Sequence, residues 1–360
     1  FDQAPFTIAW EITRACAYAC VHCRADAQHR RDPRELSTQD GYRLLERFKA
    51  FGSPIVIFTG GDPMMRPDLF DLIGYAAGLG LRCSLTPTAT ALPTEARLAQ
   101  AKQAGIRRIA LSLDAPHAEL HDGFRGVVGS WDRTMRILRS AQTVGLSAQV
   151  NTTVSRHNVD CLEDMVRFVQ EAGAVQWSVF FLVPTGRGQV QQMITADEHE
   201  RVFHWLYDLS QASAFDIKAT AAPMYRRVAI ERKRQSLADG GREQADGALT
   251  FQGAGFQYTD GLNRPTKGVN DGRGFLFISH RGEIMPSGFL PLPAGDVREV
   301  DVVETYRTHP LFRELRDPEK LKGRCGRCPY KVVCGGQRGR AYAVTGDYLE
   351  TDPACAYDPA

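Results

Sequence analysis

The sequence predicts an α/β protein: a partial (β/α)6 parallel barrel followed by a cysteine-bearing C-terminal extension. Three observations predict it. First, six short runs rich in apolar and β-branched residues recur along the first half: FTIAWEI (6–12), PIVIFT (54–59), LRCSLTP (81–87), RRIALSL (107–113), LSAQVNTTV (146–154) and VQWSVFFLV (175–183). Such runs read as strands. Second, amphipathic stretches near 39–52, 67–79, 93–105, 130–144 and 160–172 separate them, with the length needed for right-handed crossovers between parallel strands. Third, the chemically unusual segments follow strands: CAYACVHC (16–23) the first, GGDP (60–63) the second, and Asp114 the fourth. In barrels of this kind functional groups gather at the C-terminal ends of the strands.

Beyond residue 184 the pattern changes. PTGRGQ (184–189) is a turn-rich loop, 195–211 and 222–239 read as helices, and 239–273 has little periodicity and is expected to be the most mobile segment. GFLFISHRGEIMP (274–286) reads as a short hairpin with HRGE as its turn. The expected division is a barrel over 1–185, connecting helices and a loop over 186–273, and the extension over 274–360.

A chain of 360 residues accommodates two domains, or one large α/β unit with an appendage. Forty-four Lys and Arg against 42 Asp and Glu leave a formal charge of +2, which supplies no field to draw in nucleic acid or a membrane surface. No apolar run approaches the roughly 18 residues of a membrane span. The opening FDQAPF carries no charged-then-apolar signal pattern, so a cytoplasmic location is expected.

The nine cysteines are grouped: Cys16, Cys20 and Cys23 in one loop, then Cys325, Cys328 and Cys334, with Cys355 near the end. Grouping of this kind suits metal ligands or redox groups better than a disulfide framework. Three thiolates from one loop hold three corners of a [4Fe–4S] cluster and leave the fourth iron open. Zinc would demand a fourth ligand, and His22, lying between two of the cysteines, would be strained in that role. The second group supplies four ligands, enough to close either a cluster or a zinc site, and spacing alone does not separate the two. Cys83 and Cys161 stand apart and read as small buried hydrophobes, and the stripe Phe203, Leu206, Tyr207 and Ser210 as core.

CxxxCxxC after a first strand, with GGDP after a second on a βα repeat, resembles the radical S-adenosylmethionine (SAM) superfamily. The resemblance implies that the open iron binds the amino and carboxylate groups of SAM. One electron then cleaves the sulfonium, and the 5′-deoxyadenosyl radical abstracts hydrogen from a substrate. It further implies that Gly60 and Gly61 let backbone carbonyls approach the SAM ammonium and that Asp62 adds its charge. Ser112 and Asp114, in SLD (112–114), become polar SAM contacts, and Arg125, in HDGFRG (121–126), stands near the SAM carboxylate. The alternative for Arg125 is a loop arginine paired with a local Asp. His22 falls beside the adenine and Leu182 on its other side, with ordinary core packing as the alternative for Leu182.

The tail, GxCxxCxxxxxCGG followed by RAYAVTGD and DPxC, resembles the extension of the SPASM and twitch group, which carries auxiliary [4Fe–4S] clusters. Ser287, and Gln337 with Arg338, occupy positions where that group often has further cysteines. One auxiliary cluster is therefore implied, fully ligated by Cys325, Cys328, Cys334 and Cys355, serving electron transfer or stapling the tail. LVPTGRG, APMYRRV (222–228) and RAYAVTGDYLETDP are most similar to the haem-biosynthesis branch, which implies a tetrapyrrole substrate and a one-electron donor such as flavodoxin or ferredoxin. Arg187, Arg226 and Arg227 would then pair with propionates, against the alternative of a solvated basic helix face. His280 is expected as an exposed turn residue or, alternatively, a haem ligand. Two rival functions are modification of a ribosomally made peptide and a non-catalytic iron–sulfur electron carrier or sensor. Five residues before the first strand leave little room for the leader-binding domain frequent in the former, and GGDP with Ser112 speak against the latter.

Overall fold

A computed structural model describes residues 1–238 and 268–359. The six expected strands are present as β1 (Thr7–Thr13), β2 (Ile55–Gly60), β3 (Arg82–Leu85), β4 (Ile106–Ser112), β5 (Ser147–Val154) and β6 (Gln176–Phe181). Helices α1 (Thr38–Lys49), α2 (Leu69–Gly78), α3 (Glu95–Ala104), α4 (Ala118–Arg125), α5 (Ser130–Thr143) and α6 (Leu162–Glu171) lie between them. Local sequence explains several of their starts. Ser37 and Asp40 form a reciprocal capping box on α1, and Thr94 caps α3 by accepting from the Arg97 amide.

The sheet extends past the six-strand expectation. After α7 (Ala196–Ala212), β7 (Asp216–Thr220) adds in parallel to β6, and α8 (Tyr225–Ala238) follows. The predicted hairpin forms as β8 (Phe275–Ile278) and β9 (Ile284–Met285), but β8 also pairs in parallel with β1. Among the described residues the sheet thus has nine strands in the order β7-β6-β5-β4-β3-β2-β1-β8-β9, open at both edges. Four short helices complete the tail: α9 (Val302–Thr308), α10 (Pro310–Arg316), α11 (Gly323–Arg327) and α12 (Arg338–Thr345). The segment 239–267, most of the stretch expected to be mobile, lies outside the described residues.

Strand alternation gives the sheet two different faces. Ile8, Trp10, Ile12, Val56, Phe58, Leu85, Val150 and Trp177 are buried in one large core with Leu44, Leu45, Phe48 and Leu72 of the helices. The intervening residues Ala9, Phe277 and Met285, packed with Ile57 and Phe275, form a separate apolar cluster to which no helix contributes. This second face is concave. β6 and β1 are five strand spacings apart, about 24 Å in a flat sheet. Nevertheless the Arg187 amide, just past β6, donates to Cys23 O at 3.0 Å and its Nε to Cys20 O at 2.9 Å, in the loop after β1. The sheet must curl to bring these ends together.

Candidate active site and a second cysteine centre

Cys16, Cys20 and Cys23 sit in the loop leaving β1, at the strands' C-terminal mouth, and pack in one small cluster with Tyr18, Ala27 and Val127. Burial pushes the Cys16 and Cys20 thiols up, so each needs favourable partners to ionise. Cys16 Sγ accepts from the Tyr18 amide at 3.3 Å and lies 3.6 Å from Thr88 Oγ1. Cys20 Sγ lies 3.9 Å from Arg125 Nη1.

The GGDP segment is pressed against this loop. Gly61 N donates to Thr13 O at 2.9 Å and Asp62 N to Ala15 O at 2.6 Å. A methyl group on Gly61 would stand 2.6 Å from Arg14 O and closer still to Ala15 O. Both glycines are therefore required by backbone meeting backbone, a role the motif alone did not disclose. Asp62 is fully buried and acts as a hub: it accepts from the Met64 amide at 3.1 Å, the Thr88 amide at 3.3 Å and Thr90 Oγ1 at 2.9 Å. Burial raises its pKa and those donors oppose the rise. Thr88 Oγ1 also donates to Gly61 O at 2.9 Å. Thr88 and Thr90, in the loop after the third strand, were missed in the sequence, although their place at the strands' C-terminal mouth was the available signal.

Ser112 ends β4, half-buried on the concave face. Asp114, two residues on, is completely buried and receives Arg125 through Nε at 2.7 Å and through a second, shorter contact from Nη2. Thr153 N donates to its other oxygen at 2.8 Å. Burial alone would raise the Asp114 pKa; the Arg125 charge overcomes it and holds the carboxyl below its ordinary value. Arg125 does pair with an Asp, as in the alternative reading, but it stands in the last turn of α4 and not on a loop, within reach of both Asp114 and Cys20. His22 stacks on Phe124 of the same helix, centroids 3.8 Å apart and rings 7° from parallel, and His157 stacks on the opposite face of Phe124 at 4.6 Å. Burial pushes His22 down to about 3, with Arg125 adding to the effect, and its Nδ1 is buried without a partner. Leu182, buried just past β6, gives its carbonyl to Arg340 at 3.3 Å.

Several expected substrate contacts are engaged otherwise. Arg187 clamps the cysteine loop, reaching Cys20 O, Ala27 O at 3.2 Å and Asp26 at 3.1 Å. Arg226 donates to Val269 O and Val333 O, and Arg227 pairs with Glu200 and Glu231, so neither forms a solvated face. His280 is buried rather than exposed: its Nδ1 meets Glu11 Oε1 at 2.9 Å and its Nε2 lies 3.6 Å from Asp32. Glu11, buried in β1, also takes Arg24 at 2.7 Å, and Arg24 in turn covers the Phe277 ring at 4.8 Å. This charge network was invisible in the sequence because its members lie some 270 positions apart, as Glu11 and His280 do (|i−j| 269).

The second centre draws its residues from the whole tail. Cys325, Cys328, Cys334 and Cys355 line one small cavity with Met224, Arg324, Lys331 and Gly336. Gly336 N lies 3.4 Å from Cys334 Sγ, and Arg338 Nη2 lies 3.6 Å from Cys325 Sγ. Burial pushes Cys334 up to about 12 and Cys355 up to about 11. Where further cysteines stand in the SPASM pattern, a polar knot is found instead. Ser287 Oγ accepts from the Phe289 and Leu290 amides, and Asp271 accepts from Gln337 Nε2 at 3.5 Å and from Gly339 N at 2.8 Å.

A family model for the radical SAM superfamily matches residues 10–169. The chain is 43% identical to the AdoMet-dependent heme synthase of Oleidesulfovibrio alaskensis, over 98% of this chain and 87% of that one. The chain belongs to the radical SAM superfamily. A second heme synthase, from Methanosarcina barkeri, is 40% identical over 99% of this chain and 98% of its own. Among solved structures, Streptococcus suis SuiB bound to S-adenosylmethionine superposes with a TM-score of 0.73 at 17% identity, covering 99% of this chain and 78% of that one. It shares the fold.

A radical SAM enzyme uses a [4Fe–4S] cluster and SAM, and the donor sets fit. The first loop offers three clustered thiols with hydrogen-bond donors on two of them, and the orphaned His22 Nδ1 marks a polar edge beside it. In the tail four thiols, Cys325 buried and the other three half-buried, surround one cavity lined also by Arg324 and Lys331, a donor set that would fit a polynuclear anionic group. Among the described residues no three of His, Cys, Asp or Glu are arranged to hold a single metal ion. Among those residues, too, no helix is long and apolar enough to cross a membrane.

Proposed function

We propose that this enzyme serves haem formation by abstracting hydrogen from a propionate arm of a tetrapyrrole. Cys16, Cys20 and Cys23 hold the SAM-binding cluster, and Cys325, Cys328, Cys334 and Cys355 hold one auxiliary [4Fe–4S] cluster. The observation that carries the reading is the 43% identity to a heme synthase, which runs through the barrel and the tail alike. The peptide-modifying reading is the weaker one, since Streptococcus suis SuiB, bound to its precursor peptide, shares the fold at only 16% identity.

When bound, the cluster and SAM supply the 5′-deoxyadenosyl radical. The chain's own residues have separate tasks. Asp62, Thr88 and Thr90 fix the GGDP turn against the cysteine loop. Arg125, anchored by Asp114, places positive charge beside Cys20, where a SAM carboxylate is also expected, and Ser112 offers a hydroxyl at the same mouth. His22, backed by the Phe124 ring, is the aromatic face for adenine, and Leu182 its other wall. An external one-electron donor such as flavodoxin or ferredoxin supplies the electron, in the cytoplasm. Anaerobic incubation of the reconstituted chain with SAM, a reductant and iron coproporphyrin tests the proposal. A change in the mass of the porphyrin with matching 5′-deoxyadenosine is expected; 5′-deoxyadenosine without any change in the porphyrin refutes the substrate.

A further inference from the structure

We infer that Lys218 anchors a substrate carboxylate on the concave face, across the sheet from Ser112. The inference rests on the tetrapyrrole reading and gives it a residue. On β7, Ile217 is buried in the helix-covered core, so by alternation Asp216, Lys218 and Thr220 belong to the concave face. Thr220 Oγ1 confirms the side by meeting Ser178 Oγ at 2.8 Å.

Strand pairing then carries one row across four strands. Ser112 lies opposite Asn151, Asn151 opposite Ser178, and Ser178 opposite Lys218. Three strand spacings separate the ends of this row by about 14 Å along the sheet. Its chemistry runs hydroxyl, amide, hydroxyl, ammonium, and the ammonium stands exposed on the edge strand. On the other flank of the curled sheet, Ala9, Ile57, Phe275, Phe277 and Met285 make the apolar pad. A ligand lying across this face needs an apolar body on one side and an acidic group on the other. That is the chemistry of a broad flat ring with carboxylate arms, and the length of the row exceeds what a single amino-acid side chain would span.

Two other cations near this face have partners within the chain as well. Arg24 is paired with buried Glu11, and Arg108 donates to Gln176 Oε1 at 3.1 Å one row deeper. Lys218 also engages a partner within the chain; what distinguishes it is its place at the end of the row that begins at Ser112.

The test titrates iron coproporphyrin and its tetramethyl ester into anaerobically reconstituted wild type, Lys218→Met and Lys218→Arg, reading the Soret band. Unchanged iron content and unchanged substrate-free 5′-deoxyadenosine release establish that the variants are intact. Lys218→Met is expected to weaken binding of the free acid by about 10- to 100-fold, the range of a hydrogen bond to a charged group. The ester is expected to bind wild type and Lys218→Met alike, and Lys218→Arg to recover most of the affinity for the acid. Equal binding of the acid by wild type and Lys218→Met overturns the role of Lys218 and leaves the tetrapyrrole reading standing. Equal losses for acid and ester overturn it in favour of a structural role. Failure of wild type to bind either compound removes the tetrapyrrole reading, and the assignment falls with it.

Discussion

Replacing Arg340 by Met should detach the cysteine tail from the barrel. Arg340 and Asp352 are both completely buried, with Nη1 of the arginine 3.1 Å from Oδ2 of the aspartate. The guanidinium also donates to Leu182 O and Phe181 O at 3.3 Å and to Ala221 O at 2.7 Å, the backbone that leaves β6 and β7. Asp352 in turn accepts from Gln337 N at 2.7 Å and Ala354 N at 3.0 Å, next to the segment that delivers Cys355. Removing one partner of a buried pair costs about 3–5 kcal/mol, a large part of a total stability of roughly 5–15 kcal/mol. Three carbonyls would lose their donor as well. The expected result is a thermal midpoint lowered on the order of 10 °C and iron falling from about eight towards about four per chain, as one [4Fe–4S] cluster is lost. Anaerobic melting followed by visible absorption, with iron and sulfide assays, reads both quantities. Arg340→Lys keeps the charge without the fork and should fall in between. A wild-type midpoint and full iron content in Arg340→Met would refute the reasoning.

Three further outcomes are expected. Gly61→Ala must push the Arg14–Ala15 backbone aside, at a cost of about 1–3 kcal/mol, and should cut 5′-deoxyadenosine formation at least about tenfold while the auxiliary iron stays; a wild-type rate counts against the close approach. Burial would raise the Glu11 pKa, but Arg24, His280 and Arg14 outweigh it and bring it from 4.5 to about 2. Its stabilisation, about 3 kcal/mol by linkage, is present above pH 4.5 and disappears as the pH falls through about 2; Glu11→Gln should show lower stability at neutral pH and a flatter acid limb in denaturation. Cys328→Ala should remove about four irons per chain while SAM cleavage persists in part, and unchanged iron content contradicts the auxiliary centre.

Much of this was legible because periodicity and burial coincide. The six barrel strands pack one face under helices, so their apolar residues announce them, and the cysteine groups are local in sequence. What stayed hidden has physical causes. α4 was not among the expected helices because the segment is short and carries a glycine, its only deeply buried side chains being His121 and Phe124. β7 escaped because its concave-face residues are Asp216 and Lys218, and charges there depress any strand signal. β8 was seen as half of a hairpin, but in its parallel pairing with β1 Phe275 lies opposite Thr7, some 270 positions away. The arginines were assigned by chemistry alone, and Arg187 and Arg226 instead serve backbone carbonyls whose orientation only the fold sets.

Gly186, with φ +66°, lets the turn after β6 lie against the carbonyls of Cys23 and Arg24, and Arg187 locks it there. The belt that draws the far strands together is thus buckled onto the very segment that presents the amino-terminal sulfurs. Whatever loosens that turn is therefore felt at the sulfurs, and whatever loosens the cysteine loop is felt around the whole vessel.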